Sequence, residues 1–229
     1  METPDFSHLY KSSCTEFTSV YEPSNDSFLF LDALEKDLDS IYNLKPIVSL
    51  EIGSGSGIIS SFLRKILKEK KLTFYSFCTD LNFAACKSTQ IMNGILNQCL
   101  TNDFVDVLNC DLASPLLLNL KGSVDIILFN PPYVPTPSEE VAKVGNIETA
   151  AWAGGINGTE VIFRFLKQAF DLLSNKGCLY LLIVKENNLS DIENFVKRNC
   201  NLKGEINVCT IITRRYKNEL LSIIKFFYI

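Results

Sequence analysis

Short apolar runs alternate with helical segments along most of this chain. The runs at 47–52, 73–79, 103–109, 124–129 and 178–185 have the length of strands, and helical patterns lie near 58–70, 82–98, 158–173 and 190–200. Strands that alternate with helices build a parallel sheet covered on both faces. The most apolar run is Val124-Asp125-Ile126-Ile127-Leu128-Phe129, so it is expected at the centre of that sheet. Two late runs, 206–212 and 220–228, follow each other with no helix between them and should add one antiparallel strand. A further helix is expected over 26–40, after the capping candidates Ser24, Asn25 and Asp26. Residues 1–20 read as a polar, irregular N-terminal segment and 21–229 as one domain. With 47% hydrophobic and 21% charged residues, the chain has enough apolar side chains to bury a core. The longest irregular stretch, 131–157, is rich in Pro and Gly, and such loops in compact domains usually carry function.

Several classes are disfavoured. No apolar run reaches bilayer length, and the first ten residues carry acids without an apolar centre, so no membrane span or secretion signal is expected. A cytoplasmic protein is the reading. The net charge is −4, and the densest basic cluster, 64–71, reads as the solvated end of a helix, so nucleic acid is not an expected partner. Eight cysteines without a Cys-x-x-Cys pair, beside the single His8, suggest reduced thiols and no zinc site in this chain.

Strand 47–52 runs into Gly53-Ser54-Gly55-Ser56-Gly57, with a helix expected from Ile58. Glycines at such a turn let the backbone approach a ligand closely, at the strand end where open α/β sheets bind ligands. The dinucleotide fingerprint fails, because Ile58 and Ser60 stand where its last glycine would be. Asp80 ends the next strand and suits two ribose hydroxyls, and Asp111 follows the third strand. Glycine loop and two acids, each after a successive strand, point to S-adenosylmethionine.

The central run leads into Asn130-Pro131-Pro132-Tyr133. An amide or aromatic amino nitrogen is a poor nucleophile because its lone pair is delocalised. The Asn130 side-chain oxygen and the Pro131 carbonyl offer two acceptors for its N–H groups, the prolines stiffen the loop, and Tyr133 offers a ring for stacking. The expected acceptor is therefore a planar nitrogen.

Longer segments carry a family resemblance over about residues 18–226. They are Tyr21-Glu22-Pro23-Ser24-Asn25-Asp26-Ser27-Phe28, Leu50-Glu51-Ile52-Gly53-Ser54-Gly55-Ser56-Gly57, Cys78-Thr79-Asp80, Phe129-Asn130-Pro131-Pro132-Tyr133-Val134, Ala150-Ala151-Trp152-Ala153-Gly154-Gly155-Ile156-Asn157-Gly158 and Lys185-Glu186-Asn187-Asn188. The chain resembles the eukaryotic HemK-type glutamine N5-methyltransferases that modify the class 1 translation termination factor. The resemblance implies a class I Rossmann-like α/β fold, with a mostly parallel seven-stranded sheet, helices on both faces and one antiparallel strand near the C-terminus. It implies a cofactor shell of Ser27, Glu51, Gly53, Gly55, Asp80, Asp111, Leu112 and Asn130. Asn130, Pro131 and Tyr133 would be catalytic, and Asn130, Pro132, Tyr133 and Trp152 would meet the substrate. For Trp152 a core anchor is an equal reading. The resemblance also implies a small zinc-binding activator subunit. The run 103–109 falls at a sheet edge in the usual strand order and carries few blunting charges, so strand addition there is expected, with poor solubility of the chain alone. Competing readings are an adenine N6-methyltransferase, a lysine methyltransferase, a non-catalytic cofactor-binding protein and a nicotinamide oxidoreductase.

Overall fold

The computed structural model describes residues 1–10, 15–94, 104–141 and 151–229. Seven strands form one sheet: β1 (Val48–Ile52), β2 (Tyr75–Asp80), β3 (Phe104–Asn109), β4 (Val124–Phe129), β5 (Leu173–Val184), β6 (Ile206–Tyr216) and β7 (Glu219–Tyr228). Their order is β3-β2-β1-β4-β5-β7-β6. The first five pair in parallel, and β7 runs antiparallel to both neighbours. The helices are α1 (Asn25–Lys36), α2 (Leu38–Leu44), α3 (Ile58–Glu69), α4 (Phe83–Met92), α5 (Glu160–Leu172) and α6 (Leu189–Asn199). Among the described residues, no helix is long and apolar enough to cross a membrane.

The central strand explains the two layers. Every residue of β4 is buried. Side chains alternate across a strand, so its neighbours face opposite sides. Ile126 and Leu128 join Leu29, Phe30 and Phe62 of α1 and α3, whereas Ile127 and Phe129 join Phe165, Leu166 and Phe170 of α5. Burying one such side chain contributes about 1.5–3 kcal/mol, so both helix layers are held mainly through this sheet.

The expected strand and helix positions hold to within a few residues for most elements, with four differences. The helix expected over 26–40 is two helices that meet at Asp37. That residue's carboxylate accepts hydrogen bonds from Lys225 Nζ and Tyr180 Oη, both at 2.6 Å. Lys225 lies in the core side of β7 and is only 7% exposed, so its buried ammonium needs an anion, and the helix breaks to supply it. Strand β5 begins earlier than expected, pairing Leu173 with Val124 across a bulge. Arg64 does not lie on a solvated face: it is buried, and its Nη1 donates to Asn93 O at 2.6 Å. The N-terminal segment carries two 3-10 turns, Ser7–Tyr10 and Thr15–Phe17, and is docked: His8 Nε2 lies 2.8 Å from Ser88 Oγ, and Phe17 and Val20 pack on Ala85. Residues 95–98 of the expected helix over 82–98, residue 103 of the expected edge strand, and 142–150 of the long loop lie outside the described residues.

Candidate active site

The sheet order reverses between β1 and β4, and a cleft opens beyond the carboxyl ends of β1, β2 and β4, as expected at such a switch point. It encloses about 1120 Å³, including its open mouth. Ser27, Glu51, Gly53, Gly55, Asp80, Asp111, Leu112, Asn130, Pro131 and Pro132 all line it.

On one side the walls are short turns. Gly53 and Gly55 are left-handed, with φ of 63° and 54°, and nothing lies within 4 Å of where a Cβ would stand, so the loop leaves room for a ligand. Glu51, at the end of β1, is buried and accepts from Ser60 N at 3.0 Å. Burial pushes its carboxyl up to about 8, against the Ser60 hydrogen bond that favours the charge. Asp80 ends β2. Its Oδ2 accepts from Gly55 N and its Oδ1 from Asn82 N, both at 2.8 Å. Burial raises its carboxyl as well, opposed by those backbone bonds. Asp111 pairs with Arg164 of α5, and Leu112 beside it is left-handed at φ 53° and buried.

On the other side the walls come from distant parts of the chain. Asn130 Nδ2 donates to Asp26 Oδ2 at 3.0 Å. Its carbonyl oxygen, Oδ1, is buried and has no hydrogen-bond donor among the described residues. The backbone beyond Tyr133 is clamped. Asn187, fully buried after β5, donates from Nδ2 to Tyr133 O at 3.1 Å and Asn157 O at 2.9 Å, and its Oδ1 accepts from Val184 N at 2.9 Å. Val134 bridges to Ala153, with Val134 N donating to Trp152 O at 3.0 Å. At Gly158 a Cβ would stand 1.9 Å from Tyr133 O, so only glycine lets the two loops meet.

Tyr133 and Trp152 do not line the cleft. The half-buried Tyr133 packs against the core cluster of α1 and α3, and burial, then Asp26, keeps its phenol protonated far above the usual range. Trp152 is 41% exposed, which removes the core-anchor reading, while its neighbours Ala151 and Ala153 face the cleft.

Polar cleft residues that sequence did not assign to the site include Tyr21, Asp26, Asn82 and Arg164. Asp26 bonds Asn130 and in turn accepts from Tyr21 Oη; it had read as a helix cap. Asn82 donates from Nδ2 to Ser19 O at 2.9 Å and so ties the N-terminal segment to the rim. Arg164 faces Asp111 from a helix 53 residues later. The only sequence signal for any of them was the Tyr21 to Phe28 segment of the resemblance.

With a donor loop, two acids and an oriented amide around one cleft, the arrangement fits a zwitterionic nucleoside ligand and a planar acceptor. No protein-family model matches the chain. The mouse methyltransferase HEMK2 (Mus musculus) is 41% identical over 98% of this chain and 95% of its own length. The eRF1 methyltransferase catalytic subunit mtq2 of Schizosaccharomyces pombe is 36% identical over 93% of this chain and 91% of its own. Among solved structures, the E. cuniculi Mtq2–Trm112 complex, described as responsible for methylation of the eRF1 translation termination factor, matches with a TM-score of 0.61 and 27% identity, covering 93% of this chain and all of that one. The T. thermophilus 16S rRNA N2 G1207 methyltransferase RsmC, at 16% identity and a TM-score of 0.58, shares the fold. With relatives this similar over nearly its whole length, the chain belongs to the family of HEMK2- and Mtq2-type methyltransferases.

Proposed function

We propose that this chain methylates the side-chain amide nitrogen of the glutamine in the Gly-Gly-Gln motif of the class 1 translation termination factor, using S-adenosylmethionine. One observation carries the reading: the Asn130 amide is held by its NH2 on Asp26, and its oxygen is a buried acceptor without a donor among the described residues. Such an oxygen suits an N–H of a planar amide. The S. pombe eRF1 methyltransferase catalytic subunit and the E. cuniculi complex described for methylation of eRF1 support the choice of substrate.

Glu51 and Gly53 would hold the methionine part of the cofactor, Asp80 the ribose hydroxyls, and Asp111 with Leu112 the adenine side. Ser27, Gly55 and Asn130 would complete that shell. The open space at Gly53 and Gly55, the buried Glu51 and the half-buried Asp80 fit this ligand. When bound, that cofactor would supply an activated sulfonium methyl group. Orientation by the protein then carries much of the rate. Asn130 and the Pro131 carbonyl would take the amide N–H groups and turn the nitrogen lone pair toward the methyl. Pro132 would shape the wall, Tyr133 would brace the loop from behind by its packing on α1 and α3, and the exposed Trp152 would meet the acceptor protein at the entrance.

The working form in this reading is a cytoplasmic heterodimer with a small zinc-binding activator. Strand β3 is a sheet edge, Phe104 is 58% exposed, and Tyr75 stacks on it at 5.1 Å between ring centroids. An open apolar edge of this kind invites strand addition.

The test offers labelled S-adenosylmethionine and the termination factor to the chain co-expressed with such an activator, beside a factor whose motif glutamine is replaced. Label on the intact factor alone is the expected result. Label on neither, with cofactor still bound, discards this acceptor and moves the search to an adenine amino group. Omitting the activator tests the heterodimer.

A further inference from the structure

The amide of Asn130 has two orientations that differ only in which end faces Asp26. In the observed one the NH2 meets the carboxylate at 3.0 Å. In the other, two oxygens would face each other, and the cleft would be offered a donor, which repels the N–H groups of an amide acceptor. What decides between them is Asp26 itself. It lies in the first turn of α1 and is only 4% exposed. Its Oδ1 accepts from Ser27 N at 2.7 Å, Ser27 Oγ at 3.3 Å and Tyr21 Oη at 3.2 Å. Tyr21 is reliably a donor there, because burial and the nearby Asp26 push its phenol up to about 12. Among the described residues, the four donors onto this carboxylate are all neutral. The bond to Asn130 polarises the amide and pulls electron density through it toward Oδ1.

We propose that Asp26 is a positioning residue for methyl transfer: it locks the Asn130 amide in one orientation and strengthens its carbonyl oxygen as the acceptor for the substrate. The inference rests on the planar-amide reading of the site. It gives α1 a second task, since the turn that starts the helix also sets the polarity of a loop 104 residues away.

Three variants test it: Asp26→Asn, Asn130→Asp and the two combined. Each is purified with the activator, and cofactor Kd and single-turnover transfer to the termination factor are measured at pH 8. For Asp26→Asn, the expected result is a Kd within about threefold of the parent and transfer slower by about 10- to 100-fold, the range for one charge-assisted hydrogen bond. Asn130→Asp places two carboxylates side by side and loses more. The double variant restores a donor at 26 and an acceptor at 130, and transfers at least about tenfold faster than Asn130→Asp alone. A residue that merely props up α1 does not predict that rescue. Unchanged transfer in Asp26→Asn, a double variant no better than Asn130→Asp, or a loss confined to cofactor Kd overturns the proposal; the last makes Asp26 a cofactor ligand. If the parent chain binds cofactor but does not label the factor, the substrate reading fails instead. The orientation is then read without any acceptor, from hydrogen exchange of the Asn130 side-chain amide by NMR in the cofactor-bound protein. Protection that is lost in Asp26→Ala supports the lock, and protection unchanged in that variant overturns it.

Discussion

The two walls of the cleft are built in opposite ways. The wall of Glu51, Gly55 and Asp80 consists of turns at the ends of adjacent parallel strands, and its acids are satisfied by backbone N–H groups of those same turns. The wall of Asn130 and Tyr133 is held by side chains from far along the chain: Asp26 at its tip and Asn187 behind it. The first can keep its shape as long as β1 and β2 pair. The second depends on several long-range contacts at once, so damage should separate cofactor binding from transfer.

The largest separation is expected at Asn130→Ala. Transfer should fall by about 10²- to 10³-fold, the usual effect of deleting one oriented polar group, while cofactor Kd moves little. Retained single-turnover transfer would remove Asn130 from the mechanism. Next comes Gly158→Ala, whose new Cβ collides with Tyr133 O. Overpacking of this kind is expected to destabilise by about 3 kcal/mol, and denaturant unfolding should show it; an unchanged midpoint would mean the two loops can part freely. On the other wall, Asp80→Asn should weaken cofactor binding by about 10- to 100-fold and leave transfer from the saturated enzyme close to normal. A drop in the saturated rate with Kd intact would reverse the division between the walls.

The smallest effect concerns Glu51. Its folded value of about 8 lies above that of an unfolded carboxyl near 4.3. The folded chain therefore holds a proton that the unfolded chain loses. That contribution to stability is full below about pH 4.3 and is lost as pH rises through 8. A cationic ligand favours the ionised form, so cofactor affinity should rise with pH up to about 8, with release of up to one proton on binding. Calorimetry in two buffers of different ionisation enthalpy measures this directly. Equal heats at pH 6.5 would show that Glu51 is already ionised in the open cleft.

The same contrast governs how much could be read from sequence. The strands were legible because Val124 to Phe129 and its companions are continuous apolar runs, and the cleft wall of Glu51, Gly55 and Asp80 was legible because its turns follow successive strands. The break at Asp37 was not, since its cause, Lys225, stands 188 residues away. Nor was Asp26: an acid at the start of a helix looks the same whether it caps that helix or grips an amide. The expected ring of Tyr133 over the acceptor came from the loop motif alone, whereas the fold turns that side chain toward the packing of α1 and α3.

The clamp at Asn187 also sets an order in time. Synthesis delivers the glycine loop and Asp80 early. The carbonyl of Tyr133 acquires its tether only when the chain has grown 54 residues past it, through the whole of α5 and β5. A ribosome-bound fragment that ends before Asn187 can carry every residue of the Asn-Pro-Pro-Tyr loop and still lack the side chain that holds the loop in place. The tether that holds this loop is thus gained late in synthesis, after most of the sheet has been delivered.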